Sequence, residues 1–440
     1  MSAARFDERL GTRGYDEVPW NAPLSAETLL AAFQRLHHSL SGGPTAAICI
    51  SSFMHSFLVV RSDGSAATPV HTWMDAASAA SVDFIRDAIR SSGGPGFHER
   101  TGCHYHPMFP AFKLADPALA GRGTEDRIVS PKTFLVEALT GECVEDYGMA
   151  SASGLLNIHS AAWDDDLLQA TSLTARNLPR LSNHDAIAGK TASGTVVVNG
   201  SGDGFMASLG SGCSSPNRIA ITLGTSAAAR QMVRSPFLDP TAGTFCYRAD
   251  SKDDFLLGCA SSNGGNVLDW ARREFGTIHP GFVPTRDIPV FLPWLHGERS
   301  LEWNANLRPV WHGRRPDHTP EELQRSALEG VLFNLAQYVE VIERGSGIPS
   351  QQIVLSGNGF LDVFAAPVLS ALLSAEILLP AASGLGTLRG TAVCAWRALG
   401  YDATPAIERL LNEAPRSVAL RYPGLEDRFA RFKQLRQTGN

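Results

Sequence analysis

The sequence lacks the signatures of several common protein classes. None of its seven cysteines forms a Cys-x-x-Cys pair, so we interpret them as small buried side chains in a reducing compartment. No apolar run is long enough to cross a bilayer, and the N-terminus lacks the apolar core of a signal peptide. We therefore expect a cytoplasmic protein without a membrane partner.

Charge is also scarce. Only 19% of the 440 residues are charged, and the net charge is -6, whereas a nucleic-acid-binding domain would show clustered basic residues. The P-loop motif GxxxxGK[ST], the dinucleotide motif GxGxxG and the zinc motif HExxH are all absent. The thirteen histidines show no spacing typical of metal ligands, so we predict neither a nucleic-acid partner nor a protein metal site.

The sequence does contain a regular alternation of strands, glycine turns and helices. The 44% hydrophobic content and the length are enough for two or three domains. Helices are predicted at 24–40, 76–89, 132–139, 266–274, 321–344, 362–374 and 387–399, and a helix followed by a loop at 166–190. Strands are predicted at 45–50, 57–60, 69–73, 195–198, 219–223, 255–257 and 353–355. This order predicts an α/β protein with largely parallel pairing in both halves.

The stretch 195–226 is the most informative part of the chain. A β-branched run breaks into the turn Gly202-Asp203-Gly204, and a second apolar run ends in Gly224-Thr225-Ser226. A carboxylate on a glycine turn can approach a substrate closely, and the second turn offers backbone N–H groups and hydroxyls to an anion. Taken singly, each motif is more often an ordinary turn. Together they indicate a base beside a phosphate site, as in a phosphotransferase.

Two more glycine turns and two polar segments are compatible with that chemistry. The turns 262–265 and 357–359 suit a nucleotide, because no Cβ intrudes there, although both could be simple strand-to-helix connections. Met54-His55 and Trp73-Met74-Asp75 each follow a predicted strand. Core packing is the alternative for Met54 and Trp73, but an aromatic face beside His and Asp also suits a polyhydroxylated ligand.

In order along the chain, these motifs resemble the FGGY carbohydrate kinases, and within them the gluconate-kinase-like branch. The resemblance covers about residues 41–399. Nine segments carry it: SSFMHSFLVV, PVHTWMDAAS, RTGCHYHPMFPAFKL, MASASGLLNIHSAAWDDDLL, GSGDGFMASLGSGCSSPNRIAITLGTSAAAR, LLGCASSNGGNVLDWAR, FLPWLHGERSLEWNANLR, RSALEGVLFNLAQYVEVIE and VLSGNGF.

The resemblance implies two actin-like (RNase H-like) α/β domains with a central cleft, here 1–211 for the sugar and 212–440 for ATP. It implies ATP and Mg²⁺ as cofactors and Asp203 as the base on a sugar hydroxyl. The implied sugar-binding residues are Met54, His55, Trp73, Asp75 and Met108. The implied nucleotide-binding residues are Gly224, Thr225, Gly313, Gly357 and Asn358. Glu298 and Arg299 match a family signature that we interpret as structural.

The chain departs from the family pattern at three places. Ala77 stands where the family usually has Arg, and Asn358 interrupts a pair of glycines. The family also begins with a hairpin whose first turn, Asp-x-Gly-Thr-Thr/Ser, grips phosphates. Residues 2–9 resemble the second half of that hairpin, so we expect its first strand and turn, about a dozen residues, to be missing.

Three functions remain open from the sequence. The first is phosphorylation of a sugar, sugar acid or polyol, with a gluconate-like acid favoured by the branch, although no arginine cluster for a carboxylate is evident. The second is a non-catalytic sugar-binding pseudokinase, which the missing hairpin favours. The third is an actin-like interaction module, against which the sugar-side residues argue. A homodimer is a common outcome for such a chain.

Overall fold

The computed structural model describes residues 1–19, 23–116, 123–277, 279, 281–357 and 361–438, and these residues form a mixed α/β fold. The α-helices are α1 Ala26–Ser39, α2 Ala79–Ser92, α3 Phe97–Thr101, α4 Pro110–Leu114, α5 Pro131–Thr140, α6 Tyr147–Ala152, α7 Asp165–Ala170, α8 Asp203–Gly210, α9 Gly265–Phe275, α10 Pro320–Ser346, α11 Ala366–Leu372, α12 Gly386–Ala398, α13 Thr404–Asn412 and α14 Leu425–Thr438. Within these ranges, no helix combines the length and apolarity that a membrane span requires.

The strands are mostly short. They are β1 Ser2–Phe6, β2 Thr12–Glu17, β3 Ala47–Cys49, β4 Leu58–Val60, β5 Arg127–Val129, β6 Val144–Asp146, β7 Leu156–Asn157, β8 Ala162–Trp163, β9 Arg180–Ser182, β10 Ile187–Lys190, β11 Val196–Val198, β12 Arg218–Leu223, β13 Ala227–Val233, β14 Phe245–Arg248, β15 Phe255–Ser261, β16 Val290–Leu292, β17 Val310–His312, β18 Gln352–Gly357 and β19 Glu376–Leu378.

The predicted helices form close to their expected ends because their caps are encoded locally. Ser25 accepts a hydrogen bond from the backbone of Thr28 at the start of α1. Thr319 and Glu322 form a capping box at the start of α10, and Gly347 ends that helix with φ 68°. In 166–190, however, the helix is only Asp165–Ala170, and the rest contains β9 and β10.

The prediction of largely parallel pairing is wrong for the main sheet. Its strand order is β14-β15-β13-β12-β18-β19, and only β12–β18 and β18–β19 are parallel. The three-residue connection 224–226 is too short for a parallel crossover, so β13 returns antiparallel to β12. The alanine-rich sequence of β13 has few of the β-branched residues by which strands are recognised.

The prediction of a strand at 69–73 is also wrong. In this segment only His71 pairs, in an isolated bridge with Phe57. Pro69 has no backbone N–H to contribute to a ladder, which shortens any strand that includes it.

The sheet β10-β11-β3 positions the segments of Met54 and Asp203 in the N-terminal half. Val196–Val198 pair in parallel with Ala47–Cys49, so the two strands end at the same edge. Just beyond that edge, Ser52 bridges Gly202. The segments that carry Met54 and Asp203 are therefore held side by side.

A cavity of about 930 Å³ separates β1 from β3, each of which lies at the edge of its own sheet. Residues 1–8 and 43–53 line it without a break. Successive side chains of a strand point to opposite faces, so a cavity over one face would be lined by every second residue. Because every residue lines this cavity, it runs along the edges of the strands. Asp203 also lines this cavity, so open space reaches from the sheet edge to that carboxylate.

Helices α8 and α12 pack with their backbones in close contact. A Cβ at Gly390 would lie 2.0 Å from the carbonyl oxygen of Met206, and one at Gly210 would lie 2.0 Å from that of Gly386. Only glycine allows this approach. The contact fixes the helix that begins with Asp203 against the C-terminal part of the chain.

We expect Gly390→Ala to lower the free energy of unfolding by about 1–3 kcal/mol, because the added methyl group forces these backbones apart. Chemical denaturation measures the change. Gly384→Ala is the matched control, since a Cβ there meets nothing within 4 Å. Equal stability of the two variants would contradict the close packing.

Candidate active site

Asp203 lies at the first position of α8 rather than on an isolated glycine turn, and it borders the cavity between β1 and β3. Its Oδ1 accepts hydrogen bonds from the backbone N–H of Gly204 at 2.8 Å and of Met54 at 3.4 Å. Desolvation by the surrounding protein raises the pKa of Asp203, and the guanidinium of Arg230 partly opposes this rise. The result is an oriented carboxylate that is more basic than usual.

A buried polar network fixes the loop that leads to Asp203. The ammonium group of Lys132 donates to Asn199 Oδ1 at 2.7 Å and pairs with Glu145 at 3.0 Å. The Ser201 hydroxyl donates to the carboxylate of Asp146, which also lies 3.5 Å from Lys132. This network is not evident from the sequence, because its members come from three separate segments.

The predicted sugar-side residues Met54 and His55 lie beside Asp203, and Met108 belongs to the same buried apolar cluster as Met54. The ring of His55 lies 4.9 Å from that of Phe109 and 5.9 Å from that of Tyr247. These groups form an apolar wall with one imidazole in it.

The environment of His55 sets its protonation state. Burial lowers the pKa of His55 to about 3, so the ring is neutral. Its Nδ1 lies 2.8 Å from the carbonyl oxygen of Ala152, and because a carbonyl only accepts, Nδ1 carries the proton. His55 Nε2 is therefore an acceptor, and can take a hydrogen bond from a hydroxyl group.

The loop with Trp73 and Asp75 lies nearby but is more open. The side chain of Trp73 is 42% exposed, which suits stacking on a ligand better than core packing. Asp75 Oδ2 accepts from the backbone and hydroxyl of Thr72, at 2.6 Å and 3.1 Å, so one of its oxygens already stabilises the loop. The ammonium group of Lys113 donates to the carbonyl oxygens of Thr72 and His55 and thereby links this loop to the imidazole.

The predicted nucleotide-side residues Gly224, Thr225 and Gly357 lie at one end of the main sheet. Leu223 pairs with Gly357, and both strands end there. The turn that begins at Gly224 is fixed to α9, because the backbone N–H of Gly265 donates to its carbonyl at 2.7 Å. A Cβ at Gly224 would meet only Ser226 O, at 3.9 Å. The turn therefore borders open space at Gly224.

Gly313 and Asn358 are not brought into this group by the structure. Gly313 follows β17 in an open turn with φ 78°, and a Cβ there would meet nothing within 4 Å. Asn358 lies outside the described residues. Within those residues, no group of three or more His, Cys, Asp or Glu side chains could hold a metal ion.

Comparison with known proteins gives a consistent result. Residues 19–210 match the N-terminal domain of the FGGY family of carbohydrate kinases, and residues 219–399 match its C-terminal domain. A gluconokinase of Bacillus subtilis is 29% identical over 367 residues, which are 76% of this chain and 70% of that protein. A xylulose kinase of Streptomyces coelicolor is 28% identical over 384 residues, 84% of this chain and 78% of that protein.

Solved structures show the same fold. A ligand-bound xylulose kinase from Lactobacillus acidophilus superposes with a TM-score of 0.84 at 26% identity, over 99% of this chain and 95% of that one. A gluconate kinase from the same organism gives 0.81 at 26% identity, over 97% and 92%. The predicted architecture of two actin-like domains with a central cleft is confirmed.

Proposed function

Because this chain belongs to the FGGY family of carbohydrate kinases, we propose that it transfers the γ-phosphoryl group of ATP to a hydroxyl of a sugar, sugar acid or polyol, with a gluconate-like acid favoured. The observation that carries the proposal is Asp203. Its carboxylate is oriented and has a raised pKa. It accepts from the backbone of Met54, on the apolar wall, and it lines the cavity between β1 and β3.

In this proposal Asp203 accepts the proton of the attacking hydroxyl while the phosphoryl group is transferred in line. The backbone N–H groups of Gly204 and Met54 hold Oδ1 and leave Oδ2 for the hydroxyl. The hydrogen bond from Met54 also connects Asp203 to the apolar wall. Movement of the base relative to the substrate is thereby limited.

The carbohydrate is proposed to lie in the N-terminal half, with the boundary between the halves near residue 211. Met54 and Met108 would contact its apolar face, and His55 Nε2 would accept from one hydroxyl. Trp73 would stack on an exposed face, and the second carboxylate oxygen of Asp75 would accept from another hydroxyl.

ATP is proposed to bind at the end of the main sheet, with its phosphates at Gly224 and Thr225. The open space at Gly224 and the exposed side chain of Thr225 support this position. Gly357 would face the rest of the nucleotide, and the family resemblance assigns Asn358 and Gly313 to the same ligand. Mg²⁺ would enter with the phosphates, since it is usually held by few protein carboxylates, and would neutralise their charge.

The decisive experiment is ADP release with a panel of aldonic acids, sugars and polyols. The pseudokinase alternative predicts stabilisation against heat by a carbohydrate without ADP release. The assay should be repeated with a version extended by a strand and an Asp-x-Gly-Thr turn. Activity in that version alone would indicate that Gly224 and Thr225 cannot hold the phosphates without a second turn.

The proposed base also predicts a pH dependence. Asp203 must be ionised to accept a proton, and desolvation raises its pKa above the ordinary 3.8 despite Arg230. We expect kcat/KM to fall as the pH decreases through this raised pKa, so that the acid limb lies above pH 3.8. A pH–rate profile measures this limb. An acid limb at or below the ordinary carboxyl value would argue against Asp203 as the base.

A further inference from the structure

A buried arginine near the end of the last helix, Arg436 of α14, holds a loop of the C-terminal half. It lies beyond residues 219–399, which match the family's C-terminal domain, and its side chain is 3% exposed. All five N–H donors of its guanidinium have acceptors. These are the carboxylate of Glu302, which accepts twice, the carbonyl oxygen of Ser300, and the side-chain oxygens of Asn334 and Gln337 on α10. A buried guanidinium with every donor used fixes the groups around it.

The loop 298–303 is held at both ends by this network. At one end, Asn334 donates through Nδ2 to the carboxylate of Glu298 at 2.9 Å. At the other end, Arg436 pairs with Glu302 through two N–H groups. Arg436 also donates to Asn334 Oδ1 and thereby joins the two ends. Hydrogen bonds therefore run from Glu298 through α10 and α14 to Glu302.

The backbone of this loop adopts a conformation that needs such support. Leu301 and Trp303 have φ of 78° and 48°, in the left-handed region that bulky side chains disfavour. Gly243 allows the loop to approach, since a Cβ there would lie 2.2 Å from Leu301 Cα. Strained residues persist only where the surrounding structure over-determines them. Arg436 contributes directly, because it contacts the residues on both sides of Leu301.

Trp303 connects the loop to the N-terminal half. Its ring stacks on that of His104 at 4.7 Å and lies 6.2 Å from that of Phe109. Phe109 is the residue whose ring lies 4.9 Å from His55. Trp303 also packs against the buried cluster that contains Met54. The apolar wall of the candidate site is therefore supported by a side chain of the C-terminal half.

We propose that Arg436 is a positioning residue for carbohydrate binding, and that it acts through the loop 298–303 and Trp303 on the apolar wall. The inference rests on the proposed function, because that function places the carbohydrate at the wall. The proposed phosphate turn has its own support, since Gly224 accepts a hydrogen bond from α9. Loss of Arg436 should therefore weaken carbohydrate binding and leave ATP binding largely unchanged.

Steady-state kinetics test this difference, with ATP and whichever of D-gluconate, D-xylulose and glycerol gives the fastest ADP release. Arg436→Met should lower kcat/KM for the carbohydrate by up to about 100-fold, mainly through KM, because small displacements of binding groups have effects of this size. The KM for ATP should stay near that of the unmodified chain. Arg436→Lys keeps the charge with three donors instead of five, and should recover part of the loss.

Two further variants sharpen the comparison. Glu302→Gln removes the charge that Arg436 pairs with and should give the same pattern. Its side chain is 18% exposed, so it serves as the test if Arg436→Met does not fold. Arg431→Met changes an arginine of the same helix whose side chain is 46% exposed. It is the control and should alter neither KM.

Hydrogen exchange gives a second readout that needs no substrate. In folded Arg436→Met, the backbone amides of 298–306 should exchange faster, because the loop loses its support. Those of 102–110 in the N-terminal half should follow, because Trp303 packs on this segment. A role confined to the C-terminal half would accelerate exchange in α10 and α14 and leave 102–110 unchanged.

The outcomes separate this inference from the proposed function. Unchanged exchange at 102–110, or an unchanged carbohydrate KM, in a variant shown to be folded by circular dichroism would overturn the role of Arg436. Equal losses for carbohydrate and ATP would also overturn it, since they would indicate general loosening. No ADP release from the unmodified chain with any carbohydrate would overturn the kinase, and exchange at 102–110 would then decide whether α14 supports the wall.

Discussion

Asp203→Asn is expected to abolish phosphoryl transfer while carbohydrate binding persists. The amide has the size of the carboxylate and can still accept from Gly204 and Met54, but it cannot take up the hydroxyl proton. General base catalysis contributes about 10²- to 10⁴-fold, so kcat should fall by that factor. ADP release measures the loss, and titration with the same carbohydrate measures the retained affinity.

The matched control is Asp165→Asn, because Asp165 is the first residue of α7 and exposed, as Asp203 is the first residue of α8. Both changes remove one negative charge from a helix N-terminus, and so cost similar helix stability. Only the Asp203 variant should lose activity. Unchanged ADP release would remove Asp203 as the base, and loss of binding together with activity would make its role structural.

Helix ends and the order of motifs depend on local signals, and these features could be predicted from the sequence. The cap at Ser25 encodes the start of α1, and the order of motifs led to the correct fold. The strand β13 was missed because its alanines resemble neither a strand nor a turn, and the antiparallel order of the main sheet was missed with it. Pairing direction follows from connection length, which could not be read once one strand was unrecognised.

The residues of the candidate site, too, could be predicted only where the signal is local in the sequence. Met54, His55 and Asp203 were identified because each follows a strand end, and the structure brings them together. Arg230 was not identified, because it lies on the unrecognised strand β13 and only the fold places it beside the helix that begins with Asp203. The glycine turn at Gly224 was recognisable, but its attachment to α9 was not.

Lys132→Met is expected to cause the largest loss of stability of the changes considered, about 3–5 kcal/mol, because it leaves two acids buried without their cation. The side chains of Lys132 and Asp146 are 0% exposed, and Glu145 is 5% exposed. Met has a similar length, so packing is largely preserved. Chemical denaturation measures the effect, and Lys190→Met, at an exposed lysine of β10, is the control.

The pH dependence of this variant tests the cause. Burial raises the pKa of Glu145, while Lys132 lowers it, so removing Lys132 raises it further. A carboxyl group with a raised pKa in the folded state binds more protons there than in the unfolded state, and its contribution to stability is lost as the pH rises through that pKa. The deficit of Lys132→Met should therefore shrink as the pH is lowered from 7, and Glu145→Gln in the same chain should recover part of it. Because Lys132 also holds Asn199 on the loop before Asp203, the folded variant should show a reduced kcat. A deficit that is independent of pH and equal to that of Lys190→Met would show that the network neither stabilises nor positions this loop.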